Sequence, residues 1–404
     1  MALIDQVSMI KEKGKEENVQ NIQKAKNIRP VRIMLDGCFD MIHSGHYNAL
    51  RQAKQLGDVL IAAVICDSEV EKFKGPPILN QNERAELIRA CKWVDQAVIV
   101  NSYNPTIDML DYVEGDFAVH GDDPVLNPDG SDTYQPFKDA GRFKLLKRTE
   151  GVSTTDIVGR LLLLAREKER FHSQPSSSDN QNQSLISKTM LESIEPTEEQ
   201  LIKQKIQSSE MFLATSRRIM NFGNQRDPKP TDRIVYIDGD FDMLHNGHIR
   251  ALKEAKSRGD FIYVGIYDDQ LVRQLKGKNS PVLSLHERVL MVLAIKYVDD
   301  VLIGAPYKMT EDMIKTFNIS LVVQSDKHFE EINQYSHPLQ EIDAYKIPRD
   351  LGILEIICFE DCLTTDMLCQ RILQNQERQL LRFNKGASKN QKYYKEQKQY
   401  VPEI

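Results

Sequence analysis

Residues 32–46 read RIMLDGCFDMIHSGH, and residues 233–248 read RIVYIDGDFDMLHNGH. The agreement continues in order. LGDV at 56–59 answers RGDF at 258–261, FKG at 73–75 answers LKG at 275–277, NERAELIRACKWVDQAVI from Asn82 answers HERVLMVLAIKYVDDVLI from His286, and STTDIVGRLL from Ser153 answers LTTDMLCQRI from Leu363. The offset is 202 residues from His43 to His245, 204 from Glu83 to Glu287 and 210 from Thr155 to Thr365, so the chain is a colinear duplication with small insertions. Each unit is too long for a solenoid repeat and about right for a domain.

Working outward, VRIML, DVLIAAVI, QAVIV, DFAVH and FKLLK are short apolar runs separated by segments long enough for crossover helices. Such runs predict buried strands, and their alternation with helices predicts an α/β fold with a mainly parallel sheet in each unit. In the first helix Leu50, Ala53 and Leu56 supply the apolar face and Gly57 the stop, a design repeated by Leu252, Ala255 and Gly259. Composition shifts place an N-terminal extension at 1–29, the first domain at 30–166, a partly disordered linker at 167–230, the second domain at 231–375 and a polar tail at 376–404. Within the linker QPSSSDNQNQSL is polar and of low complexity, whereas EMFLATSRRIMNF at 210–222 has helical periodicity and is expected to dock on a domain.

The chain has 404 residues, enough for two or three domains with real cores. Mean hydropathy is -0.45, and no uncharged apolar run approaches the ~20 residues that a bilayer requires. Its first residues are charged and lack a secretory apolar region, so a cytoplasmic location is expected, with at most weak peripheral membrane contact from the basic tail. Six scattered cysteines, without a CxxC pair, suit reduced thiols. A net charge of -6 argues against a nucleic-acid partner, so any phosphate site must be local. A homo-oligomer is left open.

The segment DGCFDMIHSGH lies between the first strand and the first helix, where open α/β sheets bind ligands. Gly37 allows close backbone approach and Gly45 removes a side chain at the helix start. His43 and His46 are three apart, so both imidazoles can address one point. Three readings are open: capping histidines, a metal site from Asp40, His43 and His46, or imidazoles that donate to a phosphate.

DGxFDxxHxGH followed by FKGPP, NERxxxIRACKWVD, VHGDD and RTEGVSTTDI resembles the cytidylyltransferase family, a branch of the HxGH nucleotidyltransferases, over nearly all of both units. The resemblance implies two tandem Rossmann-like nucleotidyltransferase domains, attack of a phosphate ester on the α-phosphate of CTP, loss of pyrophosphate, and Mg2+ arriving with CTP and no fixed protein ligands for it. It assigns His43, His46 and Lys74 to catalysis. Gly37, Cys38, Phe39, Asp40, Gly45, Arg84, Arg148, Gly151, Ser153 and Thr154 fall to the nucleotide. Ser153 and Thr154 open a helix where hydroxyls, amides and dipole can cradle phosphates, although Ser153 is also a good cap and Arg84 could be core.

A tandem pair of catalytic-type domains resembles the ethanolamine-phosphate branch, which implies phosphoethanolamine as acceptor; the choline branch carries one such domain and a long amphipathic helix that this sequence does not show. Choline-phosphate or other phospho-alcohol transfer, and a tandem nucleotide sensor without turnover, remain alternatives. Tyr103, Asp122 and Asp123 are expected to meet the ammonium. In the second unit Gly239, Asp240, Phe241, His245, Asn246, Gly247, His248, Lys276, Arg288, Gln324, Ser325, Asp326, Lys327, Thr364 and Thr365 form the corresponding nucleotide set. RTEGVSTTD has become FEDCLTTD and HGDD has become QSDK, so the counterpart of Arg148 is gone. That unit is expected to bind nucleotide and turn over poorly.

Overall fold

The computed structural model describes residues 29–122, 125–127, 130–149, 152–172, 216–224, 226–326, 339, 341–359, 362–381 and 384. The N-terminal extension up to 28, most of the linker and the tail from 385 lie outside the described residues.

In the first unit β1 (Arg32–Gly37), α1 (Ser44–Lys54), β2 (Val59–Ile65), α2 (Asp67–Lys74), α3 (Gln81–Arg89), β3 (Gln96–Val100), α4 (Ile107–Tyr112), β4 (Phe117–Gly121), α5 (Gln135–Asp139), β5 (Phe143–Leu146) and α6 (Thr154–His172) follow in order. The second repeats the plan with β6 (Ile234–Gly239), α7 (Asn246–Lys256), β7 (Phe261–Ile266), α8 (Asp269–Lys276), α9 (Leu285–Leu293), β8 (Asp300–Ile303), α10 (Glu311–Thr316), β9 (Ile319–Ser325), α11 (Lys346–Asp350), β10 (Leu354–Ile357) and α12 (Thr365–Gln374).

The sheets run β3-β2-β1-β4-β5 and β10-β9-β6-β7-β8, which is the same order in both units. Every strand pair is parallel. The five apolar runs in the first unit become its five strands, because a strand covered on both faces must be apolar along its length. In each sheet the order reverses beside the first strand, between β1 and β4 and between β6 and β9. That switch opens a crevice at the carboxyl ends, directly ahead of the HxGH turn.

Gly57 does not end the first helix as expected. The helix stops at Lys54 with Gln55 as a right-handed cap, and a Cβ on Gly57 would sit 2.8 Å from Val31 O and 2.6 Å from the Ile33 side chain. The glycine is needed for close approach to β1. Gly259 is the same, 2.5 Å from Arg233 O.

The units meet around an approximate two-fold exchange of contacts. Lys92 N donates to Ala294 O and Lys296 N to Ala90 O, both at 2.9 Å, around an antiparallel bridge between Cys91 and Ile295. α6 packs on α12, α1 on α9 and α3 on α7, and one buried apolar cluster runs from Leu50 and Ile88 into Leu252 and Leu290. Each such side chain contributes ~1.5–3 kcal/mol when buried. Of the segment expected to dock, residues 216–222 are helical, and Phe222 packs edge-on against Trp93 at 4.9 Å. Its first six residues lie outside the described region.

Candidate active site

The HxGH turn in the first unit is built as a helix cap. His43 has extended backbone, its Nδ1 accepts from Gly45 N at 3.1 Å, and His46 Nδ1 accepts from His43 N at 3.3 Å. With each Nδ1 accepting, the proton of each neutral ring sits on Nε2. The rings lie 3.9 Å apart between centroids, and His43 Nε2 is 3.3 Å from Thr154 Oγ1 at the start of α6. Gly45 is required here, since a Cβ would lie 2.9 Å from both the His43 ring and Val152.

The electrostatics keep both rings neutral. Burial, then the neighbouring His46 and Arg148, hold His43 well below the usual histidine range. Burial and then Lys74 push His46 down to about 4, with Asp40 opposing. Two neutral N–H donors with Lys74 and Arg148 beside them suit an incoming anion.

The loop that presents the rings is strained and anchored. Phe39 and Met41 have φ of 50° and 51°, in the left-handed region, at a cost of ~1–2 kcal/mol per non-glycine residue. Asp40 accepts from Ile78 N at 3.1 Å and Leu79 N at 3.0 Å. Arg84, fully buried, donates to Leu79 O and Cys38 O and pairs with Asp67 at 2.7 Å. Asp40 and Arg84, expected at the nucleotide, are thus committed to fixing the loop. Asp40 facing backbone amides, together with imidazoles whose Nε2 carries a proton, does not form the two-His-one-carboxylate metal site.

Lys74 ends α2 exposed, with Nζ 5.8 Å above the Tyr103 ring, which itself stacks on Phe73 at 4.4 Å. Ser153 Oγ caps α6, accepting from Asp156 N at 3.2 Å and donating to the Asp156 carboxylate at 2.7 Å. Asp122 accepts from Arg148 N at 3.1 Å and lies 3.8 Å from Lys147 Nζ. It therefore pins the segment carrying Arg148. Asp123, Gly151 and Lys327 lie outside the described residues.

Three contributors escaped sequence reasoning. Asp36, at the carboxyl end of β1, accepts from Tyr134 OH at 2.9 Å, and burial raises its pKa against the pull of His120 and Lys74. Its signal was available, since both copies carry an aspartate before the glycine. Asn48 donates to Thr149 Oγ1 and Gln52 to Lys147 O, both at 3.0 Å, so the polar face of α1 anchors the strand end that bears Arg148. The copies differ there, with Arg250 and Glu254 in the second unit.

The second unit keeps the cap. His245 Nδ1 accepts from Gly247 N at 3.2 Å, His248 Nδ1 accepts from His245 N at 3.3 Å, and the rings are again 3.9 Å apart. Phe241 and Met243 repeat the left-handed φ, at 49° each. Asp242 repeats the latch on Val282 N and Leu283 N at 2.6 and 2.9 Å, and Arg288 repeats the buried tie to Asp240 O and Asp269. A cleft of about 520 Å3, counting space open to solvent, is lined by Gly239, Phe241, His245, His248, Ser325 and Thr364 among others. Gln324 and Thr365 are buried beside it.

Two features set this unit apart. Asp240 stands where the first unit has Cys38, and its carboxylate pairs with Lys276 at 2.5 Å, the two side chains being only 3% and 7% exposed. Asn246 is turned away from the cleft, donating to Glu83 O at 3.3 Å and to Glu86 of the first unit. It belongs to the contact between units, which corrects its expected place at a nucleotide.

The cytidylyltransferase-like family model matches residues 34–160 and 236–365. The chain is 43% identical over 350 residues to the ethanolamine-phosphate cytidylyltransferase of Dictyostelium discoideum, covering 86% of this chain and 92% of that protein. It is 42% identical over 378 residues to the ethanolamine-phosphate cytidylyltransferase of Arabidopsis thaliana, covering 92% and 87%. Mouse choline-phosphate cytidylyltransferase A is 41% identical over 136 residues, which is 33% of this chain and 37% of that protein.

Proposed function

The chain belongs to the cytidylyltransferase-like family, and from that premise we propose that its first unit transfers the cytidylyl group of CTP to phosphoethanolamine, giving CDP-ethanolamine and pyrophosphate for phospholipid synthesis. The observation that carries the site assignment is the pair of close-set imidazoles whose Nδ1 atoms are both engaged by the amides of their own cap, beside Thr154 at the opening of α6. The two ethanolamine-phosphate relatives match 86% and 92% of this chain, whereas the choline-phosphate relative matches a third of it.

The acceptor phosphate oxygen attacks the α-phosphorus, and the bond to the pyrophosphate oxygen breaks in line. His43 and His46 donate from Nε2 to the α-phosphate and the leaving oxygen, where negative charge grows. Lys74 meets both reacting phosphates, while Arg148, Thr154 and the amide end of α6 hold the β- and γ-phosphates. The donor set suits Mg2+ carried by the triphosphate, because the Asp40 carboxylate faces amides and the imidazoles present N–H groups. When bound there, Mg2+ spreads the phosphate charge. For the ammonium, Asp36 beside Tyr134 adds a carboxylate to Tyr103, Asp122 and Asp123 as the groups that would meet it. Among the described residues no helix is long and apolar enough to cross a membrane. We place the reaction in the cytoplasm.

The test is to follow pyrophosphate release with CTP or ATP and a panel of phosphorylated amino-alcohols. CTP with phosphoethanolamine should lead. Three methyl groups on the nitrogen remove the N–H donors that acceptors in the site would meet, so phosphocholine should lose at least tenfold in kcat/KM. Equal kcat/KM for the two acceptors would point to a choline or dual-specificity enzyme.

A further inference from the structure

The second unit reaches the first site through its last helix. α12 and the helical residues after it, 376–381, lie along the loop 75–80 that links Lys74 to the cap of α3. Arg371 donates to Ile78 O at 3.1 Å and forks onto both carboxylate oxygens of Glu83 at 2.7 and 2.8 Å. Gln379, buried, donates to Pro76 O at 2.9 Å, and Arg378 reaches Glu71 on α2 at 3.3 Å.

Those contacts complete the fixing of the loop. Its amides at Ile78 and Leu79 are held by Asp40 and the Leu79 carbonyl by Arg84, all from within the first unit. Its carbonyls at Pro76 and Ile78 are held from the second unit. Pro76 and Pro77 have no N–H to anchor, so carbonyl contacts carry the stretch nearest Lys74. Gly75, at φ 91° with open space around a would-be Cβ, lets the chain pivot directly behind Lys74. A pivot next to a catalytic cation requires a clamp on its far side.

The arrangement is exchanged between units. Arg160 of α6 donates to Val282 O at 3.2 Å and Glu287 at 3.1 Å, gripping the second unit's lysine loop in the same way. The outcome differs, because Lys276 is bound to Asp240 while Lys74 is exposed. We propose that Arg371 and Gln379 are positioning residues for the first site, and that the second unit serves turnover by clamping the loop that aims Lys74. This rests on the reading of the first unit as the working site.

The test uses the full chain, with pyrophosphate release from CTP and phosphoethanolamine. Arg371→Ala and Gln379→Ala should each lower kcat about tenfold with KM for CTP within about twofold, since displacement by an ångström misaligns an in-line transfer. Arg371→Lys, which keeps the charge and loses the fork, should fall between. Glu287→Gln breaks the mirror-image ion pair while Gln can still close its capping box, so it should lower the unfolding temperature comparably and leave kcat within about twofold. In a Lys74→Ala background, Arg371→Ala should cost less than about twofold more, because its effect passes through Lys74. The proposal is overturned if Arg371→Ala and Gln379→Ala reduce kcat no more than Glu287→Gln does, or if the Arg371→Ala loss persists undiminished without Lys74. Gln379→Ala removes a neutral contact and decides the matter should Arg371→Ala fail to fold. Full activity in Lys74→Ala itself would instead refute the first-site reading and this inference with it.

Discussion

The two units share strand order, HxGH cap, strained loop, aspartate latch and buried arginine, and differ in how they treat charge. In the first, Lys74 is exposed and Cys38 lies behind the loop. In the second, Asp240 replaces the cysteine and takes Lys276 into a buried pair. A carboxylate at that point both neutralises the lysine and repels phosphate. The first unit also anchors its Arg148 segment through Asn48 and Gln52, positions that the second fills with Arg250 and Glu254. His245 and His248 cap α7 through their own ring and backbone contacts, so their place at the helix start needs no bound phosphate. Lys276 is held in place by Asp240, so in this unit the cation too has a structural partner.

The largest contrast should come from the lysines. Lys74→Ala is expected to lower kcat by about a hundredfold or more, as loss of one preorganised charge or donor does, whereas Lys276→Ala should stay within about twofold, both read as initial rates of pyrophosphate release. Equal losses would break the comparison. Next, Cys38→Asp imports the second unit's lock. It should lower kcat about tenfold and raise KM for CTP, while Cys38→Ser changes either by less than about threefold; no difference between the two would detach the Asp240–Lys276 pair from the weak turnover expected of the second unit. Smaller again, Asn48→Ala and Gln52→Ala should raise KM for CTP about threefold each by loosening the Arg148 segment, checked in a CTP saturation series.

The smallest effect concerns pH. Burial followed by Lys74 pushes His46 down to about 4, below its unfolded value of about 6.5. The unfolded chain then binds the proton first, so this stability is present above about pH 6.5 and is lost as pH falls towards about 4. His46→Asn has no such proton to bind. Its unfolding temperature should fall less than the parent's across that window, by about 2–4 °C, in thermal scans at matched pH values. Parallel curves would remove His46 from the acid limb.

Much of this plan was legible in the sequence because repetition and apolar runs report backbone layout. All five strands of the first unit sit where VRIML, DVLIAAVI, QAVIV, DFAVH and FKLLK place them. Motif spacing was less informative about where a side chain points. Asp40, Arg84 and Asp122 stand next to the site in sequence and turn to backbone or carboxylate partners in space, and Asn246 crosses to the other unit. Gly57 lies at a helix end and answers to the strand it touches. The contrast between Cys38 and Asp240 was visible by alignment of the copies, but its meaning depends on Lys276 reaching back across the loop, which is a tertiary fact. Contacts from Arg371 and Gln379 to a loop some three hundred residues away carry no local signal at all.

The central claim, one working site supported by a silent copy, is tested most directly by comparing His43→Ala with His245→Ala in the full chain under saturating CTP and phosphoethanolamine. Loss of one transition-state donor costs ~3 kcal/mol, so His43→Ala should retain less than about 1% of the parent's pyrophosphate release, and His245→Ala should retain about half or more. Comparable losses in the two variants, or near-normal turnover in His43→Ala, would contradict the account.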